Sequence, residues 1–195
     1  MPKTYLDYAA TTPCDPKVAK AMSACLKKDF GNPSSIHGFG QAASMAVGGA
    51  RQVVAEFLGC ESEEIVFTGS ATEADNLAIF GILKAAKVAQ PHVITSQIEH
   101  PAVLESCRAL EKQGVEVTYL PVNKDGVVEI SELKKALKSN TVLVSIMYAN
   151  NEIGTIQPIE EIGQLIKETN PKILFHTDAV QALNFLDCDV KNLGV

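Results

Sequence analysis

With 195 residues, 46% of them hydrophobic, the chain has enough apolar material for one generous domain or one and a half. A charged fraction of 21% and a formal net charge of −6 argue against a nucleic-acid partner, which would call for a basic face. The longest apolar runs are far too short to span a bilayer, and Met1-Pro2-Lys3-Thr4-Tyr5 offers no apolar h-region of a signal peptide.

In chain order, Tyr5–Pro13 reads as an extended piece, and residues 1–15 as an N-terminal segment preceding the main domain at 16–195. Asp15-Pro16 opens a helix with Val18, Met22, Cys25 and Leu26 as its stripe. Phe30–Gly38 is dense in turn formers and reads as a loop, either a site or a plain helix connection. Gln41–Leu58 has the helix period and Gly59 a C-cap position, while Gly48-Gly49 lowers helix propensity without an evident reason.

An alternation follows. Strands are expected at 64–68, 92–96, 116–121, 141–147 and 172–177. Helices are expected at 72–89, 102–113, 131–138 (capped by Ser131) and 159–169. Repeated βα units predict a three-layer α/β/α domain with a mostly parallel sheet. The last residues, Asn192-Leu193-Gly194-Val195, read as the approach to a further strand, as in a truncated domain. Cys14, Cys25, Cys60, Cys107 and Cys188 are odd in number, scattered and without a CxxC pair. That pattern fits a reducing cytoplasm and neither a disulfide framework nor a zinc site.

Four polar clusters each follow an expected strand, the place where open α/β sheets bind ligands. Thr68–Ala74 opens a helix whose free N–H groups suit a phosphate, or is simply a Ser/Thr cap with Glu73 in the first turn. It is neither GxGxxG nor a P-loop, so a nucleotide-binding domain ranks last. His100 stands at the next helix start, either to stack on a flat ring and move protons or to pack locally. Asn150-Asn151-Glu152 offers amides for a ring oxygen or a substrate carboxylate, or a plain turn. Asp178, with Gln181 three residues on, offers an acid for a ring nitrogen, or a helix cap. Together the clusters describe the grip for a phosphorylated, nitrogen-containing aromatic ring, a description that pyridoxal 5′-phosphate meets.

The stretches LDYAATTP, FGNPSSIHGFG, FTGSATEADNLAI, EHPAVLES, YANNEIGTIQPI and HTDAVQ resemble the cysteine desulfurases of the NifS and IscS type. These belong to the aminotransferase-like class with the fold-type-I large domain. The resemblance runs from Tyr5 to the last residue. It implies pyridoxal 5′-phosphate as cofactor, with Ala71 and Thr72 at its phosphate and His100 stacked on the ring and assisting proton transfer. It further implies Asn151 beside the ring oxygen, Asp178 on the pyridine nitrogen and Gln181 on the phenolic oxygen. L-cysteine as substrate, an iron–sulfur scaffold protein as sulfur acceptor and a cytoplasmic homodimer are implied too. The family's cofactor-anchoring lysine, its persulfide-forming cysteine and its carboxylate-holding arginine have no counterpart here. The chain alone is therefore expected to be inactive, and the competing expectation is a non-catalytic dimerisation or partner-binding module of the same fold.

Overall fold

The computed structural model describes residues 3–195, so the first two residues of the expected N-terminal segment lie outside the described ones. The backbone gathers into two compact units, Met1–Val66 and Phe67–Val195.

The first unit is helical. In α1 (Pro16–Lys28), Asp15 accepts the Lys17 N–H at 2.7 Å and Pro16 occupies the first turn, as the sequence predicts. Its expected apolar stripe is not buried; no residue of α1 is. In α2 (Gly38–Leu58), the His37 ring accepts the Gly40 N–H and Gly59 closes the helix at φ 69°. The loop between them is built by close packing: a Cβ on Gly31 would sit 2.3 Å from the Phe39 carbonyl oxygen, and one on Gly40 2.2 Å from that of Ser35. Gly48 and Gly49 face open space, and nothing in the structure explains them.

The second unit is a parallel sheet between two helical layers. Its strands are β1 (His92–Ser96), β2 (Glu116–Leu120), β3 (Thr141–Ser145) and β4 (Leu174–His176), in the order β2-β1-β3-β4. The helices are α3 (Ala71–Ala85), α4 (Pro101–Glu111), α5 (Ile130–Ala136), α6 (Ile159–Thr169) and the one-turn α7 (Val190–Leu193). Both faces of the sheet are covered, and its two central strands, β1 and β3, are buried along nearly their whole length. Val93 and Leu143 pack with Ile79, Val103, Cys107 and Leu110 of α3 and α4. Their neighbours Ile94 and Val144 point the other way, onto Leu133, Ile159, Ile162 and Ile166 of α5 and α6.

Several expectations need correction: the helix expected at 72–89 ends at Ala85, and the strand expected at 172–177 spans only Leu174–His176. No strand forms at 64–68: Ser62–Glu64 is a 3₁₀ turn, and the following residues find no ladder partner among the described residues. An apolar run becomes a strand only where another strand can take its hydrogen bonds. Ser131 is not a cap, because α5 begins at Ile130, after Glu129, whose carbonyl accepts the N–H groups of Glu132 and Leu133. β3 ends at Ser145 rather than Met147, since the Met147 N–H turns to a side chain.

Candidate active site

The chain runs from β1 out to β2 and then back across to β3, on the other side of β1. The crevice between β1 and β3 is therefore the topological switch point, where ligands of such sheets sit beyond the strand ends. The turn after β1 carries His100 and the turn after β3 carries Asn151.

Hydrogen bonds tie the turns after β1, β3 and β4 together at this edge, and a 3.6 Å contact brings α3 beside them. The Tyr148 N–H donates to the Asp178 carbonyl at 2.9 Å, and Thr177 Oγ1 donates to the Ile146 carbonyl at 2.7 Å, joining the ends of β3 and β4. The Met147 N–H donates to Glu99 Oε1 at 2.9 Å, and Asn150 Nδ2 donates to the Ile98 carbonyl at 2.8 Å, joining β3 to the β1 turn. Asp75, on the second turn of α3, places Oδ1 3.6 Å from His176 Nε2 at the end of β4. Asp75 and Ile79 are one helical turn apart, and both are buried. That spacing carries the α3 N-terminus to the same edge.

The expected residues stand as follows. Ser70 caps α3 through the Glu73 N–H at 3.2 Å, and Glu73 in turn accepts the Gly69 N–H at 2.7 Å. The N–H groups of Ala71 and Thr72 are left without an intrahelical partner, as the first turn of a helix requires. His100 caps α4, its Nδ1 accepting the Ala102 N–H at 3.1 Å. The proton of a neutral ring then resides on Nε2. Thr72 and His100 line one cavity of about 370 Å³ with Asn76, Phe80 and Ser106. A larger cavity, about 490 Å³, lies at the opposite edge, lined by Ala85, Val88, Thr141 and Leu174, and holds none of these residues. Asn151 is half-buried and its Nδ2 donates to Glu152 Oε1. Asp178 Oδ1 accepts the Val180 N–H at 3.1 Å, and half-buried Gln181 follows on the turn.

Sequence reasoning missed a buried polar layer beneath them. Asp75 and Glu99 are each 4% exposed, and Asp75 Oδ2 and Glu99 Oε2 have no hydrogen-bond partner. Burial, reinforced by the Asp178 charge, pushes the Asp75 carboxyl up to about 7. Burial also raises Glu99 to about 7, against the pull of its bonds from Ser96 and Met147. Burial lowers His176, opposed by Asp178, while Ser145 Oγ lies 2.8 Å from His176 Nδ1. Near neutrality the two carboxyls are therefore only partly ionised, and His176 is held toward its neutral form. The signal for Asp75 was its helical spacing from Ile79; Glu99 and His176 carried none beyond lying in the quoted stretches.

A parallel sheet whose switch-point edge gathers free helix N–H groups, a histidine, amides and an acid defines the large domain of fold-type-I pyridoxal-phosphate enzymes. The chain belongs to the aminotransferase class-V family, whose pattern matches residues 4–195. It is 51% identical to cysteine desulfurase IscS of Dictyoglomus turgidum over 193 residues, 99% of this chain and 48% of that one. It is 52% identical to IscS of Methanosarcina thermophila over 191 residues, 98% of this chain and 47% of that one. Among solved structures, a NifS-like protein superimposes with TM-score 0.93 at 40% identity, over 97% of this chain and 52% of the other. SspA in complex with cysteine does so with TM-score 0.93 at 41% identity, over 99% and 55%. The chain thus spans about half the length of the relatives it matches. Members of the family use pyridoxal 5′-phosphate. The donor set fits that group: unpartnered amides at the head of a 15-residue helix, a ring-bearing cap, amides and an acid at one edge. Among the described residues no helix is long and apolar enough to cross a membrane, and no cluster of side chains is arranged to hold a metal ion.

Proposed function

We propose that the chain is the cofactor-gripping part of a cysteine desulfurase, which breaks the C–S bond of L-cysteine, keeps the sulfur as a persulfide on a thiol and releases L-alanine. The observation that supports this reading is the set of hydrogen bonds joining the turns after β1, β3 and β4 at the switch-point edge, with Asp75 of α3 3.6 Å from His176 beside them. In this reading the Ala71 and Thr72 N–H groups and the Thr72 hydroxyl hold the phosphate, helped by the helix dipole. His100 covers one face of the ring and exchanges a proton through Nε2. Asn151 and Gln181 donate to the ring oxygen, and anionic Asp178 holds a proton on the ring nitrogen. Bound there, the cofactor supplies an electron sink for the charge left when the substrate α-proton departs.

The lysine, cysteine and arginine that complete the family's chemistry are absent from the 195 residues, so the chain acts only as part of a larger catalytic unit. An iron–sulfur scaffold protein as sulfur acceptor, a homodimer and the cytoplasm complete the proposal. The free cysteines and the similarity to desulfurases support these, although a mitosomal desulfurase of Trachipleistophora hominis is also 50% identical. Two assays test the reading. Purified chain incubated with L-cysteine and cofactor should release no alanine; release would refute the proposed division of labour. Equilibrium dialysis should show weak, reversible binding of pyridoxal phosphate in preference to NAD and ATP. Preference for a nucleotide would overturn the reading.

A further inference from the structure

The turns after β1 and β3 each send one buried polar side chain into the other. From the β1 turn, Glu99 accepts the Ser96 hydroxyl at 2.5 Å and the Met147 N–H at 2.9 Å, 48 residues away in sequence. From the β3 turn, Asn150 donates to the Ile98 carbonyl at 2.8 Å, 52 residues away. Asn150 Oδ1 also accepts the N–H groups of Glu152 (2.8 Å) and Ile153 (3.0 Å), while its own N–H donates to Thr155. Asn150 is 7% exposed and Glu99 4%. The residue following each is one that the cofactor reading assigns to the ring: His100 after Glu99, Asn151 after Asn150.

We propose that Glu99 and Asn150 are positioning residues, a reciprocal buried clamp that sets the separation of His100 from Asn151 and so the slot into which a flat ring enters. The inference rests on the pyridoxal-phosphate reading and deepens it. Consecutive Cα atoms are about 3.8 Å apart, so fixing one residue in both turns leaves the next little freedom. The bonds are buried, and losing one partner leaves a polar group stranded. Two such bonds running in opposite directions resist both sliding and opening of the crevice, which a single bond would not. Burial raises the Glu99 carboxyl to about 7, and Oε1 can accept both bonds with or without a proton on the group. The arrangement matters because a group misplaced by about 1 Å costs on the order of 100-fold in rate.

The test is a nuclear magnetic resonance study of the 195-residue chain, in which only four histidines need assignment. In ligand-free protein, Asn150→Ala is expected to shift the His100 ring signals, and Glu99→Ala the Asn151 side-chain amide signals. Each effect crosses to the opposite turn. Titrated with pyridoxal phosphate, both variants are expected to bind about tenfold or more weakly, whereas their affinity for inorganic phosphate stays within about twofold. Glu99→Gln, which keeps the acceptor and carries no charge, is expected to restore both the signals and the affinity. Unmoved cross-turn signals overturn the clamp, as does a parallel loss of inorganic phosphate binding or a Glu99→Gln variant as weak as Glu99→Ala. Wild-type chain that binds no pyridoxal phosphate while the cross-turn shifts persist would instead overturn the cofactor reading.

Discussion

Asp178 caps the turn that follows it, and the proposed reading gives it a second task at the ring nitrogen. One carboxylate oxygen accepts the Val180 N–H, which is the cap role, yet an ionised carboxylate has about four acceptor sites. Asp178→Asn separates the tasks, because the amide oxygen can still cap while the charge is gone. Pyridoxal phosphate binding is expected to weaken by about tenfold, matching a tenfold loss of proton affinity at the ring nitrogen, with the thermal midpoint nearly unchanged. Asp178→Ala should lose both. An Asp178→Asn variant with wild-type affinity in a fluorescence titration would reduce Asp178 to a cap. The buried carboxyls beneath it make a second claim, about pH. Asp75 and Glu99 titrate higher in the fold than in the unfolded chain, so the native state holds the extra protons. Their contribution to stability is complete below about pH 4 and is lost as pH rises through about 7. Buried His92 and His176, lowered by burial, act in the opposite sense: their contribution is complete above their ordinary value of about 6.5 and fades on acidification. Urea midpoints should therefore fall between pH 6 and 8. Asp75→Asn should flatten that decline and raise stability at pH 8 by on the order of 2 kcal/mol, since each tenfold change in proton affinity between fold and unfolded chain is worth ~1.4 kcal/mol. A midpoint that rises steadily over this range would show that these carboxyls ionise freely.

At the scale of elements, the loops between strands and helices are held by side chains that no periodicity reveals. Gln157 is 2% exposed; its Oε1 accepts the Val128 N–H at 2.9 Å and its Nε2 donates to the Gly126 carbonyl at 2.7 Å. It thereby fastens the segment entering α6, which follows the Asn151 turn, to the turn before α5. Gly126 itself has φ 78°, and a Cβ there would sit 2.6 Å from Ile153 Cδ1. Gln157→Ala is expected to cost about 2–3 kcal/mol by stranding two backbone groups, and Gly126→Ala about 1–2 kcal/mol from its left-handed backbone alone. Chemical denaturation measures both, and a change below about 0.5 kcal/mol for Gln157→Ala, the spread of a neutral surface substitution, would mean that water replaces the bonds. The same contrast explains what the sequence could disclose. Strands β1 and β3 and helix α6 were legible because burial on both faces, or the 3.6-residue period, writes itself into the choice of apolar residues. Residues 64–68 look just as much like a strand, but strand formation depends on a partner, which a local window cannot contain. Within the Asn150-Asn151 pair both amides have the same composition signal. Only the fold shows that Asn150 is spent on Ile98 and the turn, leaving Asn151 nearer the surface.

For the molecule as a whole, the sheet has two edges, and they differ in how they are guarded. β2 carries Glu116 in an ion pair with Lys138 (2.6 Å) and Tyr119 donating to Glu111, so charge and a side-chain bond lie along it. β4 has only three residues, pairs with β3 on one side alone among the described residues, and presents Leu174 at 52% exposure. In the turns that follow, Val180 is 58% and Phe185 83% exposed. An unguarded apolar edge is a template for further pairing, and lysine is the residue proteins commonly place there against it. The net charge of −6 opposes association only weakly at physiological salt, where the Debye length is about 8 Å. The chain in isolation is therefore expected to self-associate through β4, with an apparent mass that rises with protein concentration in sedimentation velocity. Leu174→Lys should remove the concentration-dependent rise in mass beyond any dimer over the same range, at little cost in stability, because the side chain is already half in water. Association that Leu174→Lys leaves untouched would place the contact on another surface, with the exposed apolar residues of the 1–66 unit the next to vary.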